Sequence, residues 1–202
     1  MAHETLAPWA ELVPNTGPMT VNELLALPDE GGWMYELVEG RLVRMPGSGG
    51  EASIIGLRLA MAIFAFVEAH SLGVVTGADG TFDLTQPGDV GETALVPDVA
   101  FVRADRVPSR SSAEYAVAWK LPPDLAAEIA SPSQYRPEMK AKAERYLAAG
   151  VQLVWVVWPR YQQVDVWRPG NPFGVTTFST GDTLDGLDVL PGFSYPIADL
   201  FL

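Results

Sequence analysis

Apolar positions along the chain alternate between two periods, and the switches mark its elements. Thr20-Val21-Asn22-Glu23 is a capping-box pattern in which the Thr20 hydroxyl and the Glu23 carboxylate each satisfy a free backbone N–H. It predicts a short helix through Leu24, Leu25 and Leu27 that stops at Pro28. Alternating runs at 34–38 and 41–45 flank Glu39-Gly40, the signature of a hairpin with a two-residue turn. After a Gly/Ser loop the period changes to that of a helix over 51–69, with a stripe of Ile55, Leu59, Ala62, Ile63 and Phe66. This segment is apolar on several sides and should pack on a sheet. Gly73 ends it, and His70, in its last turn, suits the helix dipole.

Short strands are expected at 74–76 and 81–84, then a strand over 95–102 and another over 125–130 that ends at Ser131-Pro132-Ser133. A short helix is expected at 114–119. Pro137 suits the first turn of a helix whose apolar face is Met139, Ala143, Tyr146 and Leu147 and whose stop is Gly150. Strands at 152–157 and 161–167 pair as a second hairpin, edge structure follows at 174–178 and 184–190, and 197–202 closes the chain as a helix. Residues 1–18 read as an irregular N-terminal arm and 19–202 as one domain of mixed α/β class, a sheet flanked by helices.

Composition changes this picture little. At 202 residues with 48% apolar side chains, the chain is an ordinary globular one. No run approaches about 18 uncharged apolar residues, so no membrane span is expected, and Met1-Ala2-His3-Glu4 does not open a signal peptide. Without cysteine there is neither a disulfide framework nor a thiolate metal site, and a cytoplasmic location fits. The net charge of −12 opposes broad attraction to nucleic acid. Its distribution is uneven: residues 1–102 carry 3 Lys/Arg against 14 Asp/Glu, 103–168 carry 10 against 7, and the rest 0 against 4. The only net-basic segment therefore begins after Asp98 and encloses Glu128. Its cations either solvate loops and a helix or face phosphate.

Asp98 and Glu128 are isolated carboxylates in apolar runs, where a charge is costly unless paired or metal-bound. Strand alternation puts Asp98 on the face of Ala100 and Val102, and Glu128 on that of Ala126 and Ala130. On neighbouring strands the two would repel, and a divalent cation relieves that. Oxygen-only donors suit Mg²⁺ or Mn²⁺, which can activate water at a phosphoryl group. A lysine nearby would orient that water. Lys140 and Lys142 border opposite sides of the helix stripe, and spacing does not choose between them. The plainer alternatives are a turn cap for Asp98, a solvated edge face for Glu128 and a Glu138–Lys142 surface pair. A glycosidase-like carboxylate pair would need no metal and leaves the lysine helix without a role. Trp155, Trp158 and Trp167 read as core or interface.

Taken in order, these blocks resemble the Uma-two family, described as putative restriction endonucleases, within the PD-(D/E)xK nuclease superfamily. The resemblance rests on the run from Met19 to Pro28, Tyr35 to Gly40, Pro97-Asp98-Val99-Ala100, Glu128 to Ser133, and Lys142 to Tyr146 leading into Trp155-Val156-Val157. It implies a restriction-endonuclease-like core, often dimeric, acting on DNA with Mg²⁺ or Mn²⁺. It implies metal ligands at Asp98, Glu128 and the Ile129 carbonyl, with Glu36 approaching the metal. Ala130 stands where the superfamily carries its lysine, and Lys142 matches the family's replacement from the following helix. Arg103, Arg136 and Lys140 are the expected substrate-binding cations. Ala52 replaces a common histidine and Glu138 a common aspartate. With the acidic balance, the Ala52 departure supports the alternative of an inactive nuclease-fold protein serving as a dimeric interaction module.

Overall fold

Two β-sheets meet along the segment that carries Asp98. The computed structural model describes residues 11–13, 17–28, 32–171 and 174–202; His3 and most of the expected arm at 1–18 lie outside them. The smaller sheet has the order β1-β3-β2-β6-β5. Its strands are β1 (Glu11–Leu12), β2 (Trp33–Val38), β3 (Arg41–Pro46), β5 (Phe82–Asp83) and β6 (Ala94–Leu95). The larger sheet has the order β11-β10-β9-β8-β7-β4. It is made of β4 (Gly73–Thr76), β7 (Val99–Arg103), β8 (Leu125–Ile129), β9 (Leu153–Trp158), β10 (Gln163–Trp167) and β11 (Val175–Ser179). A last ribbon pairs β12 (Thr183–Asp185) with β13 (Ser194–Pro196).

Among the described residues the α-helices are α1 (Val21–Leu25), α2 (Gly50–His70) and α3 (Arg136–Ala148). The capping box forms as expected, with Thr20 and Glu23 bonded reciprocally. The first hairpin forms too, with Glu39 and Gly40 both at positive φ, as its tight turn requires. β8 and β9 run parallel with α3 as their crossover, while the other pairs of the large sheet are antiparallel.

Strand alternation divides the large sheet between two cores. Val99, Phe101, Leu125, Ala127, Leu153 and Trp155 face α2, whose Ile55, Leu59, Ile63 and Val67 lie flat on them. Ala100, Val102, Ala126, Val154 and Val156 face α3 through Met139, Ala143 and Tyr146. The small residues at 100 and 126 let α3 sit close to the strands that carry the carboxylates.

Four expectations change. The run at 95–102 is not one strand: β6 ends at Leu95 and β7 begins at Val99, so the chain crosses between sheets at 96–98. The arm is not wholly irregular, since β1 pairs with β3 at Glu11↔Arg44 and Leu12↔Val43. The segments at 113–116 and 197–200 are single 3₁₀ turns rather than α-helices. Finally, α2 is long and apolar enough, by length and composition, to cross a membrane. Arg58 and Glu68 break its apolar run without lowering that character, and its inner stripe is spent on the sheet.

Candidate active site

Glu128 is fixed by the centre of the large sheet. All five residues of β8 are buried, which removes the solvated-edge reading of this carboxylate. β7 pairs with β8 at Val99↔Ala127 and Ala100↔Ala126. Continuing that register one residue past β7 sets Asp98 opposite Glu128. Asp98 Oδ2 accepts the Ile129 N–H at 2.7 Å, so it closes the end of the ladder as a strand residue would.

Lys142 comes from α3, on the same helix face as Met139 and Tyr146. Its Nζ lies 2.9 Å from Glu36 Oε1 and 2.9 Å from Glu128 Oε1. Tyr146 donates its hydroxyl to Glu128 Oε1 at 2.6 Å. Glu36, from β2 of the other sheet, also accepts the Val96 N–H at 2.9 Å. Glu36, Glu128 and Lys142 are all buried. Lys142 thus turns its amine to these buried acids rather than to the helix surface, and Glu138 accepts the Tyr135 N–H at 3.1 Å.

The charges explain one another. Burial pushes the Glu128 carboxyl up to about 8, and Asp98 and Glu36 add repulsion that Lys142 only partly offsets. Burial also opposes the charged amine of Lys142, but Glu128 and Glu36 outweigh it and hold the lysine above its ordinary value. Burial raises Asp98 as well, against the Ile129 N–H and Lys142. Tyr146 is driven well above the usual phenol range by burial and then by Glu128, so it stays a donor. The cluster therefore keeps Lys142 charged and lets Glu128 take up a proton near neutrality.

Asp98, Glu128, Ile129 and Lys142 line a cleft of about 130 Å³ walled by Met34, Met45, Ser48, Ala52 and Gln134. It has room for several waters. Among the described residues, each of the three acids has one oxygen engaged by protein and one that makes no protein hydrogen bond. No group of three or more acids and histidines close enough to cage a metal occurs among the described residues. The donor set fits a hard cation that keeps its water, as Mg²⁺ does with one or two carboxylates.

The other expected residues lie elsewhere. Lys140 is exposed and pairs with Glu144 at 3.6 Å. Arg103, at the far end of β7, lies 3.4 Å from buried Asp124. Arg136 bonds Asp165 at 2.7 Å and Gln163 at 2.9 Å and stacks over Trp158, so it sits beside the cleft rather than in it. Tyr146 was read from sequence only as an apolar stripe residue. Its place four residues after Lys142 was the available signal. Trp155, Trp158 and Trp167 are core residues.

A mixed sheet with helices on both faces, and two acids and a lysine gathered at the ends of its central strands, define a nuclease fold of the restriction-endonuclease type. The family described as putative restriction endonuclease, Uma2, matches residues 21–198, and the chain belongs to it. Among solved structures, the chain resembles one described as a putative nuclease belonging to DUF820 from Anabaena variabilis ATCC 29413. The two share 26% identity at a TM-score of 0.76, over 91% of this chain and 98% of that one. No curated protein matches the chain.

Proposed function

We propose that this nuclease-family chain is a metal-dependent endonuclease that hydrolyses phosphodiester bonds in DNA. The carrying observation is Lys142, turned from α3 into the acid cluster where the residue just after β8 is only Ala130. Asp98, Glu128 and the Ile129 carbonyl would hold Mg²⁺ or Mn²⁺, which supplies Lewis acidity and a lowered water pKa. Lys142 orients the attacking water and offsets charge building on the phosphoryl oxygens. Glu36 and Tyr146 hold that lysine and Glu128 in place. Calorimetric Mn²⁺ titration beside a DNA cleavage assay tests this. Asp98→Ala is expected to lose metal binding and cutting together; equal Mn²⁺ binding by both proteins would discard the site.

We further propose that the protein works as a homodimer in the cytoplasm. The outer face of α2 exposes Ile54, Leu57, Met61 and Phe64 at alternating three- and four-residue spacing, the seam of a helix pair. An antiparallel two-fold pairing sets the Glu51 end of one copy against the His70 end of the other. The stripe alone offers a few hundred Å², less than the ~800 Å² per partner of a standard interface, so flanking surface must join it. Met61→Glu is expected to convert the dimer to a monomer by light scattering. An unchanged mass would remove α2 as the seam. This stripe also favours the second reading, a non-catalytic interaction module, which a metal-dependent cut abolished by Glu128→Gln would reject.

A further inference from the structure

Beside the acid cleft lies a second pocket of about 210 Å³, and the two share Ala52, Ser131 and Gln134 as a common wall. Its other walls include three aromatic rings, Tyr135, Trp158 and Tyr161, together with prolines and the first turn of α2. Tyr135 and Tyr161 are 59% and 53% exposed. Neither ring is buried in the core, yet both border a cavity. Trp158 is held from behind, its Nε1 donating to Asp165 at 2.8 Å. The Arg136 guanidinium lies 4.9 Å from the Trp158 ring centre and 5.5 Å from that of Tyr161, which stiffens both rings. Polar groups are few: Glu51, Ser131, Gln134 and Arg160 stand around the apolar walls. At this size the pocket is below the ~300–1,000 Å³ of sites for drug-sized ligands. It suits one flat ring with hydrogen-bonding edges.

We propose that the pocket of Tyr135, Trp158 and Tyr161 receives one unstacked nucleobase of the strand whose backbone crosses the acid cleft. This rests on the nuclease reading of that cleft. It resolves a difficulty in the charge balance. A protein of net charge −12 gains little from phosphate contacts, whereas stacking of a base on an aromatic ring is neutral and indifferent to base identity. A base leaves the stack at least cost from a single strand, a frayed end or a mismatch. The preferred substrate is therefore DNA with an unpaired nucleotide next to the bond that is cut.

The full-length protein, kept in EDTA so that nothing is cut, is titrated against single-stranded oligonucleotides carrying 2-aminopurine at one position at a time. One position is expected to change its fluorescence on binding. Tyr161→Ala should weaken binding about tenfold and erase that signal, while Tyr161→Phe keeps both; Tyr135→Ala and Tyr135→Phe should divide in the same way. Because both rings are exposed, these variants should fold. A response at no position, or one untouched by the alanine variants, overturns the pocket. Cleavage of the same oligonucleotides with Mn²⁺ is scored separately. Cutting without a position-specific response leaves the nuclease reading standing and removes the pocket. A response erased by Tyr161→Ala, without cutting, supports the pocket and removes the nuclease reading.

Discussion

Replacing Lys142 with methionine is expected to abolish cleavage and to destabilise the fold by about 3–5 kcal/mol, the usual cost of stripping one partner from a buried ion pair. Lys142 is the shared countercharge of Glu36 and Glu128, each 2.9 Å away, and its side chain is only 10% exposed. Without it two carboxylates stay buried and uncompensated. For a chain of this size the melting temperature should fall by roughly 6 to 20 °C. The loss should depend on pH in a definite direction. Lys142 sits above its ordinary value in the fold, so its own contribution is complete at any pH below about 10 and does not vary between pH 6 and 9. Glu128 does vary: burial holds it at about 8, and losing the lysine raises it further. At pH 6 it takes up a proton and relieves the repulsion; at pH 9 this relief is smaller. Thermal melts across that range should show the larger deficit at alkaline pH. A deficit that does not change with pH would mean that lost packing, not charge, is responsible.

Glu128→Gln should separate catalysis from stability. The amide keeps the shape and can still accept from Tyr146 and Lys142, but it offers no charge to a cation, so metal-dependent cleavage should disappear. Without metal the variant should become the more stable protein as pH rises. The carboxyl has its ordinary value of 4.5 in the unfolded chain and about 8 in the fold. Between those limits the folded protein holds a proton the unfolded chain has released, so wild type loses stability with rising pH. The scale is about 1.4 kcal/mol per unit of pKa difference, a few kcal/mol in all. The melting temperature of wild type should thus fall relative to Glu128→Gln from pH 5 to pH 8.5. Added Mn²⁺ should restore it for wild type only. Cleavage that survives in Glu128→Gln would exclude the carboxylate from the chemistry.

The sequence was most informative where one local rule acted alone. The capping box at Thr20, the Glu39-Gly40 turn and the α3 stripe each follow from neighbours a few residues away. The pairing of Asp98 with Glu128 followed from alternation once their strands were taken as neighbours. What stayed hidden depended on partners far along the chain. Lys142 and Lys140 are equivalent on the helix border, and the inward position becomes favourable only where Glu128 and Glu36, the latter arriving from another sheet, meet the amine. The break at 96–98 was signalled only by Pro97, which interrupts a ladder, and by the turn-cap alternative for Asp98, while the apolar residues on both sides favoured one continuous strand. Arg136 read as a free cation for substrate because Asp165, its buried acceptor, is 29 residues away. The inner stripe of α2, Ile55, Leu59 and Ile63, was legible and does meet the sheet, whereas the exposed apolar stripe on its other side was not singled out.

The crossing at 96–98 also bears on how the protein is made. Within three residues the chain leaves the small sheet and enters the large one, and each acid anchor has one end at this joint: the Val96 amide donates to Glu36, and Asp98 accepts from the Ile129 amide at the end of β8. The first of these bonds spans 60 residues of sequence and the second 31. Lys142 comes later in the chain than all three acids it serves. Domains assemble as units while the chain emerges from its N-terminus, and contacts between distant residues must bear the entropy of closing long loops. A growing chain therefore carries the carboxylates without their lysine until α3 has been synthesised and docked, and the cleft is completed only as the two sheets close on each other.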